Sequence, residues 1–391
     1  MKKAIKIILV GSELLILCLF LNKTEAKSAE LDFSGYFYNL PAIQKTSELF
    51  GSNITDKDYF LADISRLRFT PVVNFGMNTQ VHLDYEINTF VSDITIPGFA
   101  FTNIAANRQA VDLNWNLAEE KKFQANHFID RLFIKQFFDW GELVFGRQRI
   151  SWGVGRIWQP TDLFNQINPA NFSKFEKDGA DAISSKLYLG RFTDLELVVN
   201  FREMFEDYNY GARFRTNFNE FDVSALAGHF DKRVVAGGDF AGNLFDAGIR
   251  GELMISADKF DPQSNFYKAL LGIDYQFNSK LYGLLEYKHN GEGSECKLCY
   301  DLEKLGRGEI INLGLDYLAA QATYQLHELW NLSLLSNTNL NDESGFVSSS
   351  LSYDALQNLY LSLSAMYFYG DELDEYWYYS SAGYLTLEYY F

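Results

Sequence analysis

The side chains with the clearest chemical potential are nine arginines and a lysine: Arg66, Arg68, Arg131, Lys135, Arg147, Arg149, Arg202, Arg213, Arg215 and Arg250. Arg66 and Arg68 stand two residues apart, as do Arg147 and Arg149, and Arg213 and Arg215. On an extended chain, residues two apart share a face. Guanidinium groups repeated along one wetted face attract anions, as rings of Arg and Lys do in selective pores. Their plainer use is to pair with Asp84, Glu86, Asp130, Glu196, Glu252 and Glu286, so that a wet interior holds no bare charge.

A second group lies in one stretch, residues 151–181. It carries Trp152, Arg156, Trp158, Asp162, Phe164, Lys174, Glu176 and Asp178 without a sustained strand period. Segments of that length without structure of their own are usually functional. Folded outward, this one would be an ordinary surface loop. The expectation is that it folds into a lumen, where it sets aromatic surfaces and charges at a constriction, because an eighteen-stranded barrel leaves an open lumen to restrict.

The remaining sets are weaker. His82 and Asp84 point to one side two residues apart, as a rim enzyme might arrange them, but no Ser or Asp cluster accompanies them. The five histidines are scattered and none forms a metal-spaced pair. Cys296 and Cys299 make one Cys-x-x-Cys without a second pair, so a local disulfide in an oxidising compartment ranks ahead of zinc. No phosphate-binding or dinucleotide glycine pattern is present. No catalytic set, metal set or cofactor follows.

The elements that must hold these residues are strands. In 80–88, Val81, Leu83, Tyr85 and Ile87 alternate with His82, Asp84, Glu86 and Asn88. In 65–75, Leu67, Phe69, Pro71, Val73 and Phe75 oppose Arg66, Arg68, Thr70 and Asn74, and Pro71 predicts a bulge. The pattern recurs at 195–202, 210–215, 269–277 and 359–369. Alternation over about ten residues fits a wall with lipid on one side and water on the other. Arg147 breaks it, sharing parity with Leu143 and Phe145.

Connections alternate short and long. The short ones fall at 76–79, 139–141, 190–193, 218–220, 242–243, 278–280, 327–328 and 355–358; long ones span roughly 41–64, 91–127, 151–181 and 290–310. Trp140, Phe192, Phe218, Phe221, Phe277 and Trp330 flank the short turns, where an interfacial girdle belongs. The expectation is an all-β transmembrane antiparallel barrel of eighteen strands, with sixteen as the alternative. Its strands centre on 31–39, 65–75, 80–90, 128–138, 142–150, 182–189, 194–203, 208–217, 221–230, 233–241, 244–255, 266–277, 281–289, 313–326, 329–340, 346–354, 359–369 and 378–391.

Composition agrees. Lys2, Lys3 and Lys6 precede an apolar run from 7 to 21, too short to span a bilayer but suited to a signal peptide, with cleavage after Ala26. Cys18 follows Leu17, where a lipoprotein wants a small residue. Residues 1–26 are thus read as signal and 27–391 as barrel. Aromatic residues make up 16% of the chain, with 24 Tyr and 34 Phe. The net charge of −17, without a basic block, excludes a general nucleic-acid binder.

Two motifs carry a resemblance. The chain ends Leu385-Thr386-Leu387-Glu388-Tyr389-Tyr390-Phe391, and this alternating strand closing on Phe resembles the C-terminal signature that outer-membrane proteins present to the barrel-assembly machinery. The run LVFGRQRISWGVGRIWQPTDLF, residues 143–164, is similar to a strand and loop of porin-like outer-membrane proteins with a Gly-Arg-Gln strand end, a set that includes alginate-export-type barrels. The stretches 286–291 and 341–345 fit the same kind of protein. The resemblance implies a passive channel for small polar or anionic solutes, set in outer-membrane lipid and lipopolysaccharide. Trimers are common among porins, which leaves a homotrimer open. Export of an acidic polysaccharide, and an adhesin or rim enzyme on a barrel scaffold, are the competing readings.

Overall fold

The structure, a computed structural model, describes residues 29–46, 57–95, 108–174, 176–306 and 310–391. The signal segment expected at 1–26 lies outside these residues. Nineteen strands form one antiparallel sheet. They are β1 (Ala29–Lys45), β2 (Tyr59–Phe75), β3 (Thr79–Ser92), β4 (Asn114–Glu119), β5 (Phe123–Phe138), β6 (Gly141–Gln148), β7 (Ala180–Tyr188), β8 (Asp194–Asn200), β9 (Asn209–Phe218) and β10 (Phe221–Phe230). There follow β11 (Arg233–Leu244), β12 (Ala247–Ala257), β13 (Phe266–Gln276), β14 (Leu281–Asn290), β15 (Asp316–His327), β16 (Trp330–Asn339), β17 (Gly345–Leu356), β18 (Leu359–Tyr369) and β19 (Ala382–Tyr390).

Eighteen strands close into a ring, because β3 pairs with β5 and β1 pairs with both β2 and β19. The remaining strand, β4, lies outside the ring order and pairs with the first part of β5, above the level where β6 has ended. At the seam, Gly35 and Phe391 exchange two backbone hydrogen bonds of 3.0 Å. The Phe391 ring packs against Phe33 and Phe69, each at 6.2 Å between centroids. Gly35 makes room for it, since a Cβ there would stand 2.7 Å from the ring.

The alternation sorts residues as strand geometry requires. Leu31, Phe33, Leu61, Leu271, Leu363 and Tyr367 are exposed on the outer face, between 57 and 64% in each case. No helix among the described residues is long and apolar enough to cross a membrane. A belt of exposed Leu, Phe and Tyr around a closed ring is stable against hydrocarbon, where every backbone group is already paired along the ladder. Trp140, Phe192, Phe218 and Phe277 are exposed at one rim. Two-residue turns there and opposite use left-handed pairs, Asn219-Glu220 and Asp231-Lys232, whose geometry matches the twist of adjoining strands.

Several expected boundaries move. The turn placed at 242–243 lies instead at 245–246, with Phe245 left-handed, because β11 runs on to Leu244. The stretch taken as a long loop over 91–127 contains β4 and the start of β5. Residues 313–315 and 378–381 precede their strands. Pro71 causes no bulge: the β2–β3 register is the same on both sides of it, and the ladder simply skips Thr70 and Pro71. The register shift falls on the other edge of β3, at Asp84/Tyr85 opposite β5.

Candidate functional site: a segment pinned across the lumen

Residues 149–174 and 176–179, between β6 and β7, fold inward. Trp152 and Trp158 are almost wholly buried, at 0 and 1% exposure. Trp152 packs with Phe164, Phe230, Leu226 and Met254, and Trp158 with Leu270, Tyr317 and Phe346. Apolar packing alone would let the segment slide. Two wall carboxylates fix it. Glu252 of β12 accepts from the backbone N–H groups of Val154 (2.6 Å), Gly155 (2.7 Å) and Thr161 (2.9 Å), and from the Thr161 hydroxyl (2.7 Å). Glu286 of β14 accepts from Arg156 N (2.6 Å), Ile157 N (2.9 Å) and Trp158 N (3.3 Å). Glu196 of β8 takes the Trp152 indole N–H at 3.1 Å. The amides from Val154 to Trp158 belong to no strand ladder and must find other partners, and these carboxylates supply them. Gly153, left-handed at φ +89°, allows the approach: a Cβ would lie 2.9 Å from Glu252.

Beyond this crossing, Asp162 is buried and ion-paired with Lys177. Phe172 stacks on Tyr384 of β19 at 4.8 Å. Arg156 stays exposed, held by its backbone only. The return limb brings Glu176 to an arginine cluster. Arg68, 3% exposed, contacts Asp130 (2.6 Å), Asp84 (2.7 Å), Glu176 (2.8 Å) and Glu86 (3.2 Å). Arg131 approaches Asp84 at 3.4 Å and Asp130 and Glu176 at 3.5 Å, and Arg66 lies 3.9 Å from Glu86. Asp130 and Arg131 are sequence neighbours, yet both reach this cluster. The extra β5 residue at the register shift turns two consecutive side chains to one face.

The other expected wall cations are paired, mostly with acids that sequence inspection did not single out. Arg213 meets Asp239 (3.1 Å), Arg215 meets Asp194 (2.7 Å), Lys135 meets Glu142 (2.8 Å) and Arg250 meets Asp274. Arg202 lies beyond β8, 3.3 Å from Asp231. Arg149 departs from expectation: it follows the end of β6 on the parity of Leu143 and Phe145 and is exposed, away from the cluster. Arg147 keeps that parity but is buried at the strand end, on Asp181 (2.7 Å) and the carbonyls of Ile129 (3.1 Å) and Val111. Glu196, Glu252 and Glu286, expected as partners for arginines, hold the inward segment instead.

Sequence inspection missed two further inward segments and a strap. Residues 370–381 bury Asp374, Glu375 and Tyr376, and residues 310–315 bury Asn312 and Leu313. Glu375 accepts from Leu313 N (3.1 Å), Asn312 (3.4 Å), Asn339 (2.9 Å) and the Tyr317 hydroxyl. The strap, residues 108–113 among those described, is held by Arg108, which bonds Asp231 through both terminal nitrogens (2.7 and 2.8 Å) and the Leu163 carbonyl (3.1 Å). No periodicity marks such segments; the only hint is the aromatic run from Tyr376 to Tyr379 in a connection.

Partial desolvation disfavours the charged form of Asp231, whose side chain stays half open to solvent, but Arg108 and Arg202 outweigh it and hold its carboxyl below the usual range. A depressed carboxyl adds stability above its unfolded value, near pH 3.9, and loses it as pH falls through the lower folded value. The strap is therefore expected to stay down from neutral pH to about pH 4 and to lift only below it. Asp231→Asn should lift it at pH 7. Hydrogen exchange at Ala110 and Val111, whose amides bond Asp181 at 2.7 and 3.1 Å, checks both.

Open space remains on each side of the crossing. At the mouth lies a cavity of about 1080 Å³, with Arg108, Arg202, Arg233 and Lys268 on one part of its lining and Phe60, Phe90, Phe368 and Tyr379 on another. Toward the other end lies a smaller one of about 270 Å³, lined by Arg68, Arg131, His82, Glu176 and Tyr36. His82 bonds Asp84 at 2.8 Å and stacks on Phe133 at 4.7 Å. Among the described residues no group of three His, Cys, Asp or Glu could hold a metal ion. Cys296 and Cys299 are joined in a disulfide.

No protein-family model and no curated protein matches the chain. Solved structures do. OccK9 (OpdG) of Pseudomonas aeruginosa aligns over 92% of this chain and 98% of its own, at 9% identity and a TM-score of 0.60. OccK11 (OpdR) of the same organism aligns over 92% and 95%, at 10% identity and a TM-score of 0.53. At such identity the likeness speaks for the fold. With a closed ring of eighteen strands, an apolar outer belt and a segment crossing the lumen, the chain has the porin-like outer-membrane β-barrel fold.

Proposed function

We propose that the protein is an outer-membrane channel through which small polar or anionic solutes diffuse passively, with residues 1–26 removed on export. The observation that carries this reading is the pinned segment with a charged cavity on each side. A segment held by Glu252 and Glu286 narrows the ring without filling it, and the lumen-side arginines and lysines lie along the remaining path. Threading of a long acidic polymer would need an uninterrupted track, and the crossing segment cuts across it. The outer belt suits lipid and lipopolysaccharide, and the exposed Phe391 strand suits the barrel-assembly machinery. A homotrimer fits the same reading.

Planar bilayers test it. Arg233 and Lys268 flank the mouth cavity, stacked on the Phe266 ring at 4.9 and 5.3 Å. A unit charge about 7 Å from a path in water-like surroundings is worth about 0.6 kcal/mol, or roughly threefold in local anion concentration. Arg233→Ala with Lys268→Ala should therefore shift the reversal potential in a salt gradient toward cations by several-fold in permeability ratio. No current steps from the native protein would refute the channel. Steps with an unaltered reversal potential would refute its polarity.

A further inference from the structure

We propose that residues 370–381 form a lid over the mouth and that the Cys296–Cys299 disulfide is its brace. The lid tucks Asp374, Glu375 and Tyr376 under the neighbouring loops, and its Tyr379 lines the mouth cavity. Tyr379 also accepts a hydrogen bond of 3.0 Å from Asn168 of the crossing segment, so lid and constriction support each other. Its weak point is charge. Asp342, Asp374 and Glu375 are all buried, and Asp342 accepts from the Glu375 amide at 2.8 Å. Among the described residues, Lys297 on Asp374 is the single ion pair these three carboxylates make. Carboxylates crowded in a dry site repel unless compensated.

For Asp342 and Asp374 that compensation comes from the disulfide-closed turn. Lys297 lies inside the ring that Cys296 and Cys299 close, and Tyr300 follows it directly. Tyr300 donates to Asp342 at 2.8 Å and accepts from Asn339 at 3.2 Å. One short cross-linked turn thus presents an ammonium and a phenol to two of the three acids. Opening the cross-link gives the turn more conformations and takes both groups off target. The lid then swings out and the mouth widens.

The test uses the full-length protein in proteoliposomes and bilayers. Chymotrypsin added from the mouth side can cut the aromatic run 376–379 only when the lid is out. The oxidised protein should resist cleavage at 376–379, read by mass spectrometry of the fragments apart from cuts at exposed Phe205 and Phe260. Reduction with dithiothreitol, Cys296→Ser with Cys299→Ser, and Lys297→Gln with the disulfide intact should each speed it by about tenfold or more. Conductance should rise in parallel. If reduced protein and Lys297→Gln protein both resist the protease as well as the oxidised form, the brace is refuted. The conductance arm rests on the channel reading; absence of current in every form would count against that reading, while cleavage still decides the lid.

Discussion

Glu252→Gln combined with Glu286→Gln should raise single-channel conductance and make it noisy, while leaving the barrel folded. Between them the two carboxylates accept six backbone N–H groups and the Thr161 hydroxyl. Hydrogen bonds to a charged group are worth about 1.5–3 kcal/mol each. Glutamine keeps one acceptor oxygen and turns an NH2 group toward amides that need an acceptor. Several kcal/mol should be lost, and every 1.4 kcal/mol is about tenfold in the population of a loosened segment. The apolar anchors remain: Trp152 and Trp158 stay in their clusters, each worth about 1.5–3 kcal/mol of burial. Residues 153–157, between the two tryptophans, and 159–161, beyond Trp158, should therefore come free. Glu196→Gln, which disturbs a single indole contact, should change conductance far less. Unchanged conductance in the double variant would show that the carboxylates do not hold the constriction.

The largest stability effect is expected at Arg68→Ala. This guanidinium is surrounded by four carboxylates, three on strands and one on the crossing segment. Without it, Asp84, Glu86, Asp130 and Glu176 would keep Arg66 and Arg131 as their arginine partners, with His82 on Asp84. Breaking a buried pair by removing one partner costs about 3–5 kcal/mol, because the remaining charge is left uncompensated. A fall of that size in unfolding free energy, read by denaturant titration of the folded form in detergent, is the expected result. Arg68→Lys should fall between, since one ammonium cannot reach all four acids as a planar fork can. Adding Glu86→Gln to Arg68→Ala should recover part of the loss, a non-additivity of about 0.5–3 kcal/mol. Additive losses would show that the cluster does not act as a unit. Arg215→Ala, at a pair half open to solvent, should cost little by comparison.

These two sites differ in how far they could be read beforehand. The arginine cluster was half legible: Arg66, Arg68, Asp84 and Glu86 alternate on β2 and β3, and period two is a local property. Asp130 beside Arg131 contradicted that period until the β5 register shift was seen. Arg149 shows the converse. Counting by twos from a strand says nothing about where the strand stops, and β6 stops at Gln148. The anchors of the crossing segment were named, but with other partners. Glu252 and Glu286 looked like counter-ions for arginines and instead receive backbone amides 98 and 130 residues away.

The order of residues by itself determined the wall. Which side chains meet lipid, how many strands the ring holds and where most short turns fall all follow from side-chain alternation, and each strand carries that information within about ten residues. Tertiary structure alone decided what fills the ring. The three inward segments and the strap have no period, and their partners come from strands, turns and other inward segments that face them only once β19 has met β1. Closure sets those distances, and a carboxylate on a far wall is chosen by reach and burial, neither of which a linear pattern contains.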